Sequence, residues 1–301
     1  MNRLLIIGCG DVLTRALPWL RQRFRVYALV RSAERAAVLR AAGVTPVLAD
    51  LDQPASLQRL SGLADWVLHA APPPGEGSDD PRMRALLAVL TRRAPRRVVY
   101  VSTSGVYGDC GGEWVDESRP LRAQTARARR RVAAETRLRA FAIGTGSALR
   151  ILRAPGIYAA DRLSLARLQR AEPVLRTEDD VYTNHIHAED LAQAACLALF
   201  RGPHLRSFNV CDDARLAMGD YFDLLADTFG LPRPPRMTRA ECLARLTPAM
   251  ASFMSESRRL CNQRIKRELR QRLRYPDIRA GLLAARTELE AKEKQACSTR
   301  G

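Results

Sequence analysis

Four apolar residues, Leu4 to Ile7, run directly into Gly8-Cys9-Gly10-Asp11-Val12-Leu13, and a helical pattern follows over residues 12 to 23. A short strand that breaks on glycine and opens a helix leaves a chain few choices of fold. The first glycine permits a tight turn and the second lets another molecule approach the backbone. The helix start presents N–H groups with no partner inside the helix, which suits an anion. This context predicts a strand-turn-helix unit cradling a dinucleotide pyrophosphate, although Leu13 replaces the glycine expected at the third position.

The rest of the chain supports that prediction by its alternation. Short apolar runs at Arg3 to Ile7, Arg25 to Val30, Thr45 to Ala49, Trp66 to Ala70, Val98 to Ser102 and Ala148 to Leu152 alternate with helical patterns at about 12 to 23, 33 to 42, 82 to 93 and 122 to 141. Alternation of this kind builds a parallel sheet with helices on both faces. The predicted fold class is α/β, a Rossmann-type doubly wound parallel sheet with a smaller, mostly helical C-terminal substrate lobe. Residues 1–200 are expected to form the dinucleotide domain, with 160–185 contributing to the lobe. Residues 201–290 are expected to form the lobe itself and 291–301 a frayed tail. Within the lobe, Ser257 to Arg274 carries eight basic residues around an apolar stripe of Leu260, Ile265, Leu269 and Leu273. That pattern predicts a packed helix with a solvated basic face, or a surface that docks an acidic partner.

The second strand ends Ala28-Leu29-Val30-Arg31-Ser32. NAD enzymes usually keep a carboxylate here for the ribose 2′-hydroxyl. Arg31, with Arg35 one helical turn onward and Arg15 near the start of the first helix, could instead clamp a 2′-phosphate through charge-assisted hydrogen bonds. NADP(H) is therefore favoured as cofactor over NAD(H).

Composition excludes several other classes. The net charge is +17, yet Lys266, Lys292 and Lys294 are the only lysines and the arginines are spread along the whole chain. Such even usage does not predict nucleic-acid binding as the main role, because phosphate affinity needs clustered charge. Seven scattered cysteines include no Cys-x-x-Cys pair, and the four histidines lack thiol or carboxylate partners at ligand spacing, so no metal site is expected. No segment approaches the length of a membrane span, and a cytoplasmic protein is expected.

Several segments together resemble the extended branch of the short-chain dehydrogenase/reductase family, the NAD-dependent epimerase/dehydratase-like proteins. Asp50-Leu51 resembles the family's adenine-contacting acid, and His69-Ala70-Ala71 its fourth-strand motif. Val101 to Gly108 resembles the fifth-strand motif, with Thr103 at the place of the catalytic Ser or Thr. Asp116-Glu117 followed by Pro120 resembles the next loop. Leu152 to Tyr158 resembles the family's segment after the sixth strand, with Pro155 on the cofactor side, and Asn184 to Ala192, including His185 and His187, resembles the substrate-side motif.

The resemblance breaks at the catalytic pair. Members of the family use Tyr-x-x-x-Lys, in which the lysine lowers the tyrosine pKa and the tyrosine moves the substrate proton. No tyrosine here has lysine four residues later, and Glu135, aligned with the family's downstream Glu, puts Arg127 and Arg131 at the two positions. Arginine stays protonated and cannot donate in their place. Arg127 and Arg131 would either grip an anionic substrate or cofactor phosphate, or face solvent. The pattern resembles atypical members of the family. Thr103, Ser104, Tyr107 and the His185/His187 pair are the candidate replacement donors, and Tyr158 and Asn184 lie on the substrate side. The resemblance implies a small-molecule substrate and a homodimer through helices near 82–93 and 122–141. An oxidoreductase or epimerase-like enzyme is expected, with a non-catalytic NADP(H)-binding regulator or assembly protein as the alternative.

Overall fold

A computed structural model describes residues 1–247, 252 and 254–298. Seven parallel strands form the central sheet: β1 (Asn2–Ile7), β2 (Phe24–Val30), β3 (Thr45–Leu48), β4 (Trp66–His69), β5 (Arg97–Thr103), β6 (Ala148–Ala154) and β7 (Arg206–Asn209). Their spatial order is β7-β6-β5-β4-β1-β2-β3, which reverses direction between β1 and β4. That reversal opens a crevice above the carboxyl ends of the two strands.

The apolar run at the N-terminus explains the layering. Successive strand residues point to opposite faces, so Leu4 and Ile6 enter one core while Leu5 and Ile7 enter the other. On the first face lie helices α1 (Asp11–Arg21), α2 (Ala33–Ala41) and α5 (Ala188–Phe200); on the second lie α3 (Pro81–Leu90) and α4 (Ala126–Thr145). All four β1 side chains from Leu4 to Ile7 are 0% exposed. A run apolar on both faces is what a central parallel strand requires.

The seventh strand lies beyond residue 200, where the sequence analysis ended the dinucleotide domain. Arg206–Asn209 pairs with β6, Phe208 opposite Leu152. Only Phe208 is apolar in this strand, and its polar neighbours are bonded from outside: Arg206 to Glu268, and the Asn209 N–H to Glu117 Oε1 at 2.8 Å. Those partners leave no apolar period in the local sequence.

The smaller lobe packs Tyr158, Leu168 and Val174 against α6 (Met218–Phe229) and the start of α7 (Ile278–Ser298). Residues 158–175 therefore belong to its core, although they precede α5 in the chain. The stretch 291–301, expected as a frayed tail, is helical to Ser298, and residues 299–301 lie outside the described residues. The run Glu-Ala-Lys-Glu-Lys is made of strong helix formers, and Lys292 donates to Glu288 one turn back at 2.6 Å.

Ser257 to Arg274 does not form one helix. Arg259–Leu260 pairs with Trp114–Val115 as a short strand, helix covers Gln263–Glu268 alone, and Arg270 has φ +52°, which stops further helix. Leu260, Ile265 and Leu269 are buried all the same. Contacts with other elements of the fold bury them, so the spacing that resembled a helical stripe has a different origin.

Candidate functional site

The crevice above β1, β4, β5 and β6 is a cleft of about 670 Å³. Gly8, at φ +84°, forms its inner edge; a Cβ added there would lie 2.3 Å from the Ala71 nitrogen. Only glycine fits, because Ala70 and Ala71 both donate to the Ile7 carbonyl and hold the end of β4 against the turn. At Gly10 the situation reverses. A Cβ there meets nothing within 4 Å, and Gly10 caps α1 without a side-chain hydrogen bond. The first intrahelical bond runs from the Thr14 N–H to the Gly10 carbonyl at 2.9 Å, so the N–H groups of Asp11, Val12 and Leu13 come before it, and all three residues line the cleft, as an anion site requires. Val12 and Leu13 also line the cleft, and Leu13 is buried in the core, so its bulk is absorbed beneath the turn. Cys9 is buried and shows the cleft no side chain; burial pushes its thiol upward in pKa.

Three arginines were expected near the adenine ribose, and they are differently employed. Arg31 is exposed and outside the cleft lining. Arg15 is committed to Asp11 at 2.8 Å and Asp161 at 3.0 Å, with Asp11 bonded also by Arg162, so Arg15 is withdrawn from a phosphate clamp. Arg35 donates to the Cys9 carbonyl at 2.7 Å and to Thr14 Oγ1 at 3.2 Å, which lays its guanidinium across the glycine turn. Asp50 accepts from the Asp52 N–H and lies outside the cleft, while Leu51 is buried in the second core. Ala70 lines the cleft; Ala71 packs behind Gly8. His69 is sealed beneath, edge-on to Tyr100, both ring nitrogens lack partners, and burial pushes its pKa down to about 3.

At the end of β5, Thr103, Ser104 and Gly105 line the cleft, and Thr103 Oγ1 accepts from the Gly105 N–H at 3.2 Å. Tyr107 turns the other way and is 1% exposed. Its hydroxyl donates to Asn209 Oδ1 at 2.7 Å and accepts from Arg153 at 2.9 Å, so the candidate donor is a structural phenol. Burial raises its pKa to about 12.

The substrate-side motif divides in the same way. Pro155 and Asn184 line the cleft. Asn184 also staples the neighbouring loop, donating to the Arg258 carbonyl at 2.9 Å and accepting from the Leu260 N–H at 2.8 Å. Tyr158 is buried in the small-lobe core. His185 stacks on Tyr221 at 4.2 Å, and burial takes its pKa to about 3. His187 Nδ1 accepts from the Glu189 N–H at 3.2 Å and caps α5. Neither histidine lines the cleft, so the pair is removed as a proton donor.

Arg127 and Arg131 both reach the cleft from α4, and Arg130 joins them. Residues spaced i, i+3 and i+4 share one helix face. Arg131 donates to the Tyr100 hydroxyl at 2.8 Å and the Val101 carbonyl at 3.0 Å. Arg130 donates to the Gly77 carbonyl at 2.6 Å, clasping the proline-rich loop after β4. The sequence analysis missed Arg130, Glu256 and Arg258. The last two sit on a loop fastened across the cleft: Ser257 donates to Asp109 at 2.7 Å, and its carbonyl accepts from Cys110 and Gly112 at 3.0 Å each. Only tertiary hydrogen bonds bring that loop here, and no local motif marks it. No cluster that could hold a metal occurs among the described residues.

Residues 10–201 match the family described as NAD(P)H-binding. The chain belongs to that family. Among solved structures, this NAD(P)H-binding protein is similar to a functionally unknown conserved protein from Silicibacter pomeroyi DSS, with 31% identity and a TM-score of 0.79 over 96% of this chain and 99% of that one. It is also similar to the UDP-glucose 4-epimerase of Thermotoga maritima, with 15% identity and a TM-score of 0.77 over 96% and 99% of the two chains. The UDP-glucuronic acid 4-epimerase of Bacillus cereus, solved in complex with NAD, gives 14% identity and a TM-score of 0.74 over 94% and 96%. At those identities the two epimerases show the fold alone, and the fold is that of epimerase/dehydratase-like short-chain dehydrogenase/reductases. No curated protein matches.

Proposed function

We propose that this NAD(P)H-binding protein is an NADP(H)-dependent oxidoreductase or epimerase/dehydratase-like enzyme acting on a small substrate. The observation that carries the reading is the glycine turn. Gly8 has no room for a side chain, and Gly10 faces open space at the start of α1. The turn suits a dinucleotide pyrophosphate, with the nicotinamide directed toward Thr103 and α4. When bound, the cofactor supplies or accepts a hydride. Arg35, held over the turn by Cys9 and Thr14, is suited to a 2′-phosphate, which favours NADP(H) over NAD(H). Thr103 offers the substrate a hydroxyl, Ser104 borders it, and Arg131, which we align with the family's lysine, brings positive charge to the same cleft. We also place the protein in the cytoplasm, as a homodimer through α3 and α4; among the described residues no helix is long and apolar enough to cross a membrane.

A second reading, a nucleotide-binding regulator without turnover, is favoured by one fact: no tyrosine of the sequence has lysine four residues later. The experiment is to follow NADPH absorbance with purified protein and a panel of small carbonyl compounds and sugar nucleotides. Oxidation with any substrate supports the enzyme. Saturable NADPH binding without oxidation across the panel supports the regulator.

A further inference from the structure

We propose that the α4 face made by Arg127, Arg130 and Arg131 seats an anionic group of the substrate, a carboxylate or a phosphate monoester. The inference rests on the proposed cofactor reading only for placing the pyrophosphate at the glycine turn.

The charge inside the cleft is unbalanced. Among its described lining residues are five arginines, Arg127, Arg130, Arg131, Arg162 and Arg258, against the two carboxylates Asp11 and Glu256. Both carboxylates are occupied, since Asp11 bonds Arg15 and Arg162, and Glu256 bonds Arg258 and attracts Arg127. Arg130 and Arg131 donate only to neutral oxygens in the contacts described above. Arg130 is the telling residue: it is 6% exposed, and its Nε is buried with no hydrogen-bond partner among the described residues. Burying a guanidinium with an unused N–H is costly, and such groups call for an explanation. Three like charges on one helix face also disfavour the helix that carries them.

The cofactor does not supply the missing anion. Its pyrophosphate belongs at the end of β1, and β5, under which α4 packs, lies two strands away, about 10 Å at ordinary strand spacing. That is roughly a Debye length in physiological salt. An oxidised nicotinamide, itself positive, would deepen the excess at this end of the cleft. An anion on the substrate would balance the charge, while orienting the substrate under the nicotinamide by charge-assisted bonds rather than by a tyrosine.

The test uses full-length protein saturated with NADPH. Bound-nicotinamide fluorescence is followed on addition of sodium malonate or inorganic phosphate at constant ionic strength, in wild type, Arg127→Gln, Arg130→Gln, Arg130→Lys and the exposed control Arg59→Gln. Saturable binding of either anion is expected; which one binds identifies carboxylate or phosphate. Each glutamine variant should weaken it by about tenfold or more, the loss of one charge-assisted bond. Arg130→Lys should recover part of the affinity, and Arg59→Gln should match wild type. Absence of saturation with both anions in wild type overturns the proposal, and so do equal affinities in wild type and both glutamine variants. If NADPH itself fails to bind, the cofactor reading fails. Calorimetric titration of malonate and phosphate into the nucleotide-free proteins then tests the anion seat separately, with the same two outcomes.

Discussion

Arg153 and Glu135 meet through two hydrogen bonds, 2.7 Å from Nη2 to Oε2 and 3.2 Å from Nε to Oε1, with their side chains 4% and 1% exposed. Ser102 adds a third bond to Glu135 at 2.7 Å, so the pair fastens α4 and β6 to the strand that carries Thr103. Removing one partner strands a buried charge. Glu135→Leu should destabilise the protein by about 3–5 kcal/mol in urea unfolding, and Glu135→Leu with Arg153→Met should recover most of that loss. A single variant costing under about 1 kcal/mol would contradict a buried pair.

Tyr107 tests the reassignment from donor to support. With two hydrogen bonds to its hydroxyl, Tyr107→Phe should lose about 1–3 kcal/mol of stability while leaving NADPH affinity within a factor of about two. Loss of nucleotide binding at full stability would return this residue to the site.

His185 predicts a pH dependence. Its folded pKa is about 3, against roughly 6.5 in an unfolded chain. Between those values the unfolded state takes up a proton that the folded state refuses, so this residue makes stability fall as pH falls from 6.5 toward 3. Its share of the slope approaches about 1.4 kcal/mol per pH unit. Asp212, raised to about 8 by burial, acts in the opposite sense between about pH 4 and 8, so the wild-type slope alone does not isolate the histidine. The variant does. His185→Phe should shift the slope of unfolding free energy against pH between pH 4 and 6 by about one proton toward the negative, leaving stability that falls as pH rises. An unchanged slope would place the ring in contact with water.

The sequence made the glycine turn and six of the central strands readable because each depends on neighbours close in the chain: a run, a breaker, a helix start. Arg206–Asn209 escaped, since its polar residues are satisfied by Glu117 and Glu268 from distant segments. The candidate site divides along the same line. Gly8, Gly10 and Thr103 could be placed in the cleft from motif position alone, whereas motif position leaves Arg127 and Arg131 open between gripping an anion and facing solvent, and the fold puts both in the cleft. The resemblance located His185, His187, Tyr158 and Tyr107 near the site but not which way their side chains turn, and all four turn into packed interiors. Arg130 and the loop bearing Glu256 belong to no motif, so only the fold brings them into view.

The most direct test of the account is a fluorescence titration with NADPH and NADH of wild type, Gly10→Ala and Arg35→Asp. Apart from its chain neighbours, a methyl at Gly10 meets no atom of the described residues within 4 Å. Gly10→Ala should therefore melt close to wild type, yet lose NADPH affinity by about tenfold or more, because the methyl occupies the space assigned to the pyrophosphate. Wild type should prefer NADPH to NADH, and Arg35→Asp should abolish that preference by weakening NADPH alone. If Gly10→Ala binds NADPH as wild type does, or if wild type binds neither nucleotide, the glycine turn is not the cofactor site and the account fails.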